Sequence, residues 1–281
     1  MAVARPVAIV TGAYGGMGRA CARQLGHRLD LALCDIDAGR LTTLADTLRE
    51  EGFTVAAAVP GDLSEPGVAE KLVSAARAAG RVAAVAHTAG VSPALGPWDL
   101  ILRANLVGTE RLLLALEAGL EPGLAVVMIA SVAGHFAARL PEIDVIAAEP
   151  LSPDFLQRMK PHLDALTTPE EQFGTSGPAY GQSKRAVIRI CEARAAVWAV
   201  KGARIITISP GLMWTPMGRA EAEGNPAAAR LGANTPLGRW GTALDIADAV
   251  DFLTSDRATF ISGADVRIDG AVTPAVRGVT F

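Results

Sequence analysis

Apolar residues in this chain arrive in short runs, separated by longer segments of mixed character. The runs are VAIVT (7–11), LALC (31–34), TVAAAV (54–59), VAAVAH (82–87), LAVVMIA (124–130), RIITIS (204–209) and DVRID (265–269). The pattern is continuous rather than alternating. Such runs suit strands covered on both faces, the condition of strands in a parallel sheet. The segments between them carry helical signals. Gly16–Leu25 follows the first run, and Arg40–Glu50 places Leu41, Leu44 and Leu48 on one stripe. Pro66 stands at the start of Gly67–Ala79, where a first-turn proline forfeits no hydrogen bond. Repeated strand–helix alternation predicts βαβ units with right-handed crossovers. The expectation is one α/β domain over residues 1–281 with helices on both faces of the sheet.

One segment breaks the rhythm. Residues 136–175 hold no strand signal but several helix starts. Ser152-Pro153 and Thr168-Pro169-Glu170-Glu171 both look like a cap followed by an N1 proline. Pro161 is expected to interrupt any helix running through it. The segment reads as an insertion of short helices, with seven acidic residues against three basic ones.

Composition narrows the function. Half of the 281 residues are hydrophobic and the formal net charge is −3. Acids and bases are interspersed, so no basic footprint for nucleic acid or an anionic membrane appears. The opening stretch MAVARPVAIVTG runs straight into a strand pattern, without the apolar core of a signal peptide. Charged residues interrupt every candidate membrane span. Cys21, Cys34 and Cys191 fit no metal or disulfide spacing and read as reduced, buried thiols, which places the chain in the cytoplasm. No metal site is read.

The candidate chemistry begins at the end of the first run, in TGAYGGMG. Gly12, Gly15, Gly16 and Gly18, with Tyr14 and Met17 between them, join a strand to a helix. Glycines there let the backbone approach a pyrophosphate, and the helix N-terminus offers free N–H groups. The second run ends at Asp35, followed by Ile36. An acid about twenty residues beyond the glycines binds the adenosine ribose hydroxyls and repels a 2′-phosphate, favouring NAD over NADP. Arg19 and Arg40 are the cations that could reach round to a phosphate. Asp35 could alternatively cap a helix, although Asp37 suits that role better. Tyr180 and Lys184, in AYGQSK, stand one helical turn apart and share a face.

Taken in order, these motifs resemble the short-chain dehydrogenase/reductase family in its compact single-domain form. The resemblance covers nearly the whole chain outside the insertion. It implies a Rossmann-type doubly wound sheet of seven parallel strands in the order 3-2-1-4-5-6-7. Asp62-Leu63 matches the family's adenine-binding acid. His87-Thr88-Ala89-Gly90 stands where the family has Asn-Asn-Ala-Gly, so only Ala89 and Gly90 match. His87 either takes over the hydrogen bonds of an asparagine or is a core histidine. Asn105, Ser131, Tyr180 and Lys184 match the catalytic tetrad. Pro210-Gly211 and Thr215 match PGxxxT, whose threonine is expected to hold the nicotinamide carboxamide.

These matches imply an alcohol dehydrogenase or carbonyl reductase with a small-molecule substrate, assembled as a homotetramer or dimer. Tyr180 would exchange the proton while hydride moves. Lys184 would lower the phenol's pKa and bind the nicotinamide ribose, Ser131 would steady the substrate oxygen, and Asn105 would anchor a water leading to Lys184. The four-residue spacing differs from that of the family's enoyl reductases. The insertion separates Ser131 from Tyr180 by 49 positions. It is expected to form a lid over an apolar or cyclic alcohol, such as a steroid or terpenoid, with the segment after Thr215, Met217 and then Glu221 to Gly232, as a second wall; alternatively it only packs against another subunit or covers a surface. The rival reading is a catalytically idle NAD-binding sensor or scaffold.

Overall fold

The computed structural model describes residues 5–278. The leaderless reading of the N-terminus rests partly on Met1–Ala4, which lie outside the described residues. Seven parallel strands form one sheet in the order β3-β2-β1-β4-β5-β6-β7. They are β1 Val7–Thr11, β2 Asp30–Asp35, β3 Val55–Pro60, β4 Val82–His87, β5 Ala125–Ile129, β6 Arg204–Pro210 and β7 Asp265–Ile268. Each continuous apolar run became a strand within a residue or two of its expected limits. Every residue of β1, β4 and β5 is buried, whereas the edge strands β3 and β7 are partly exposed.

Helices α1 (Gly16–Gly26), α2 (Ala38–Glu50) and α3 (Val68–Ala79) follow the first three strands. Asp37 caps α2 by accepting the Arg40 N–H, which leaves Asp35 free of that role. After β4 the chain forms α4 (Trp98–Leu102), a π turn (Arg103–Val107) and α5 (Gly108–Glu117) in unbroken succession. After β5 come α6 (Val132–Phe136), α7 (Pro141–Ala147), α8 (Phe155–Leu166) and the long α9 (Ser176–Val200). Helices α10 (Pro216–Gly224), α11 (Pro226–Ala233) and α12 (Ala243–Leu253) separate β6 from β7, and α13 (Val272–Val276) closes the described chain.

Two apolar cores lie on the two faces of the sheet. One joins α3, α5 and α9 to the sheet, and the other joins α1, α2 and α12. All three cysteines are buried and unpaired. Burial pushes each thiol up to about 12, so they stay protonated and inert. Among the described residues, no helix is long and apolar enough to cross a membrane.

The insertion departs from expectation in three places. Pro161 lies inside α8 and does not break it. Pro161 and Gln157, whose carbonyl loses its donor, are both exposed, so water can satisfy that carbonyl. Met159 and Leu163, on the opposite side, are fully buried and hold the helix in place. Ser152-Pro153 precedes the helix by a turn, and Thr168-Pro169 begins no helix but a run of turns up to Ser176. Packing of Phe155, Met159 and Leu163, rather than the cap signals, sets where α8 begins and ends. Helix α7 is bound to α9 by Asp144, which pairs with Arg185 at 3.0 Å and Arg189 at 3.5 Å.

Parallel strands all end at the same edge of the sheet. The register pairs Thr11 with Cys34 on one side and with His87 on the other. The strand order reverses between β1 and β4, so a crevice opens there beyond the carboxyl ends.

Candidate active site

One end of the crevice starts at the β1–α1 turn. Gly12 has φ +60, and a Cβ there would sit 2.8 Å from the Ala89 backbone. Gly18 packs directly on the Gly12–Ala13 backbone, bringing α1 close to the turn. The N-cap Gly15 makes no side-chain cap and the first turn of α1 carries no acid. Its leading N–H groups and positive dipole end are therefore open to an anion. Met17 and Gly16 line the crevice from this helix.

Asp35, at the tip of β2, accepts the Tyr14 N–H at 2.9 Å and the Asp37 N–H at 3.3 Å. Ile36 beside it is exposed. The Tyr14 ring is flanked by Arg19 at 5.1 Å and Arg40 at 5.6 Å, and Arg40 also pairs with Asp37 at 3.3 Å. Asp62 accepts the Ser64 N–H at 2.8 Å and shapes the turn after β3, while Leu63 is buried. Thr88 donates to the Thr11 carbonyl at 2.7 Å and lines the crevice together with Gly90.

At the other end, Ser131, Tyr180 and Lys184 line one cavity of about 360 Å³. Pro210, Gly211 and Thr215 line it from the β6–α10 connection. Ser131 caps α6, accepting the Ala133 N–H at 3.2 Å. The Lys184 ammonium donates to the Ile129 carbonyl at 2.8 Å and lies 5.7 Å from the Tyr180 ring centre. Asn105 stands behind this group. Its side chain accepts the Val91 N–H at 2.8 Å and donates to the Val91 carbonyl and the Ser183 hydroxyl. It ties the loop after β4 to α9, and no hydrogen bond joins it to Lys184.

The electrostatics differ from the sequence expectation in one respect. Tyr180 is not lowered but raised, chiefly by burial and then by the charge of Glu221; the Ser131 hydroxyl pulls weakly the other way. Burial also pulls Lys184 down to about 8, against the attraction of Glu221. Glu221, on α10, lines the same cavity. The sequence placed it only at the start of a second wall, because nothing in the spacing of RAEAEG says which acid turns inward.

Comparison with known proteins adds the relatives of this arrangement. A model described as short chain dehydrogenase matches residues 6–140, and one described as Enoyl-(Acyl carrier protein) reductase matches residues 167–273. A short-chain dehydrogenase/reductase of Alternaria brassicicola, bsc3, is 30% identical over 266 residues, covering 93% of each chain. The chain belongs to the short-chain dehydrogenase/reductase family. D-threitol dehydrogenase of Mycolicibacterium smegmatis is also 30% identical, over 95% of this chain and 92% of its own. Among solved structures, a glucose/ribitol-type short-chain dehydrogenase/reductase from Brucella melitensis superposes with TM-score 0.72 at 25% identity, over 95% and 96% of the two chains. Membership makes the protein an oxidoreductase that uses a nicotinamide dinucleotide.

Two departures from the family pattern acquire a structural reading. His87 is buried and bridges Thr11 (Nδ1, 2.7 Å) and Thr109 (Nε2, 2.8 Å). The Thr109 hydroxyl gives its hydrogen to the Asn105 carbonyl at 2.7 Å, so it accepts from Nε2–H, and Nδ1 accepts from Thr11. Burial, with the Lys184 charge, drops His87 to about 3, so the ring stays neutral. His87 is thus a core histidine that also supplies cross-links between β1, β4 and α5. The insertion is the second departure. Of residues 136–175, only Phe136 lines the cavity. Ile143, Ile146, Phe155, Met159 and Leu163 are instead buried in the core beside α9. The inner wall of the cavity comes from α10 and α11, including Met217, Ala228 and Leu231.

Proposed function

We propose that this protein interconverts a secondary alcohol and a ketone with NAD(H), using Tyr180 as the group that exchanges the substrate proton. The observation that carries the reading is the convergence of Ser131, Tyr180 and Lys184 on one cavity at the carboxyl edge of the sheet. The residues present fit a dinucleotide. The open N-terminus of α1 suits the pyrophosphate, Asp35 the adenosine ribose, Asp62 and Leu63 the adenine, and Thr215 with Gly211 the nicotinamide end. A bound nicotinamide would supply hydride transfer, and its oxidised form would add a positive charge to the site.

NAD is favoured over NADP because Asp35 is fixed by two backbone amides in a position that repels an added phosphate. The nearer cations are engaged: Arg40 with Asp37, and both Arg19 and Arg40 with the Tyr14 ring. In reduction, Tyr180 gives its proton to the carbonyl oxygen while Ser131 hydrogen-bonds that oxygen. In oxidation the phenolate form takes the alcohol proton, and the Lys184 ammonium stabilises that form. The lining is largely apolar, which favours a substrate with an apolar or cyclic body. The four-residue Tyr180–Lys184 spacing favours alcohol–ketone chemistry over reduction of a carbon–carbon bond.

The test is turnover of a panel of secondary alcohols and ketones, followed by the absorbance of reduced nicotinamide. Tyr180→Phe is expected to lower kcat by about 10²–10⁴-fold, the usual worth of a positioned proton-transfer group. Binding of NADH should survive the change. Full activity in Tyr180→Phe would sink the proposal, as would NAD binding without turnover of any compound.

A further inference from the structure

We propose that Glu221 selects the substrate, taking a ketone or alcohol that carries an ammonium group and holding that group while the reacting carbon faces Tyr180. The inference rests on the reading of Tyr180 just given.

Of the described residues lining the cavity, only Lys184 and Glu221 carry a formal charge. Lys184 already donates to the Ile129 carbonyl. Among the described residues, Glu221 has no such partner. Burial pushes its carboxyl above the usual range, the Lys184 charge pulls it back only in part, and no described side chain hydrogen-bonds it. Arg219, the cation on its own helix, lies over the Trp214 ring at 5.6 Å instead.

The direction of Glu221 is set by the backbone. Thr215 caps α10 by accepting the Gly218 N–H at 3.1 Å, and Pro216 opens the helix. Met217, Gly218 and Glu221 then share one helical face, and all three line the cavity. At the far end of α10 the Phe173 ring packs against Gly224. The carboxylate therefore comes from an element held at both ends.

An unpaired carboxylate in a mostly apolar cleft loses hydration that nothing in the protein returns. A ligand ammonium restores it with a charge-assisted hydrogen bond. A ligand carboxylate meets a like charge. A neutral ring of the same shape gains neither. Phe136, Met217, Leu231 and Val276 line the same cavity, which suits a compact hydrocarbon frame around the nitrogen.

Three ketones of one shape test this: N-methylpiperidone, methylcyclohexanone and oxocyclohexanecarboxylate, each with its carbonyl opposite the variable group. Their affinities for the protein–NADH complex are read from the fluorescence of bound NADH. The amine should bind about tenfold or more tighter than the carboxylate, which corresponds to roughly 1.4 kcal/mol. In Glu221→Gln the ratio should collapse to near unity, and in Glu221→Lys it should invert. Equal affinities in the unmodified protein, or a ratio that survives in Glu221→Gln, would overturn the proposal. Because the readout is binding, the two proposals fail separately. A preserved charge ratio without reduction of any ketone would remove the dehydrogenase reading alone. Reduction of all three ketones with no charge preference would remove this one.

Discussion

Tyr180 is held in its phenol form by its surroundings, since burial and the Glu221 carboxylate both favour the neutral ring. A protonated phenol is a donor, so under the proposed function the residue favours ketone reduction, and oxidation should speed up as pH rises. Lys184 works against that rise. With its pKa drawn down to about 8, it is an ammonium at neutral pH and an amine above. If the ammonium holds the nicotinamide ribose, NADH affinity should weaken as pH climbs from 7 to 9. In Lys184→Met the affinity should be low and flat over the same range. Fluorescence titration of NADH at each pH checks both, and a flat profile in the unmodified protein would contradict the role. At the other end of the cleft, Asp35→Ser removes the charge proposed to face the adenosine ribose, with Arg19 and Arg40 close by. The preference for NAD over NADP, measured as a ratio of kcat/KM, should fall by about tenfold or more, the effect of roughly 1.4 kcal/mol. These residues were legible before any coordinates because each sits at the end of a strand or one turn into a helix. Glu221 was not, because its role depends on which face of α10 meets the cleft.

The elements divide between those fixed by local pattern and those fixed by packing. The seven strands and the helices that cross between them follow from runs of Val, Ile, Leu and Ala that leave no polar face. Inside the insertion, local signals misled. Pro161 predicts a break, yet α8 runs through it because Phe155, Met159 and Leu163 anchor one side in the core. Of the insertion's apolar residues, Ile143, Ile146, Phe155, Met159 and Leu163 seat α7 and α8 beside α9, whereas Val145 and Leu151 are exposed. Period alone cannot distinguish a face turned to a ligand from a face turned to the core. The proline remains a cost that the packing overcomes. An interior proline costs a helix about 3 kcal/mol, and its loss returns up to about 1 kcal/mol of freedom to the unfolded chain. Pro161→Ala should therefore raise stability by about 2 kcal/mol, read as a higher denaturant midpoint at unchanged slope. No gain would mean that α8 has already bent to remove the strain.

At the scale of the molecule, the two halves of the sheet meet at the reversal between β1 and β4, and His87 spans that seam. It joins Thr11 of β1 to Thr109 of α5 and, through Thr109, reaches the π turn that carries Asn105. The sequence left its role open because a histidine's function depends on which hydroxyls the fold brings to its two nitrogens. The structure couples that seam to pH. His87 stays neutral in the folded protein down to about 3, whereas an unfolded histidine takes its proton near 6.5. Between those values the unfolded chain binds the extra proton. Stability is then fully present above about 6.5 and is lost as pH falls, at up to roughly 1.4 kcal/mol per pH unit for this one group. Carboxylates such as Asp245, held low by Arg239, add their own losses on the acid side, so the slope alone does not isolate the histidine. His87→Asn does, since an amide can keep hydrogen bonds to the threonines without titrating. Unfolding free energies of the two proteins, measured from pH 7 to pH 4, should converge as the pH drops. The variant's slope should be shallower by about one proton. Parallel slopes would mean that the ring is already charged inside the fold, and the neutral bridge between Thr11 and Thr109 would then be wrong.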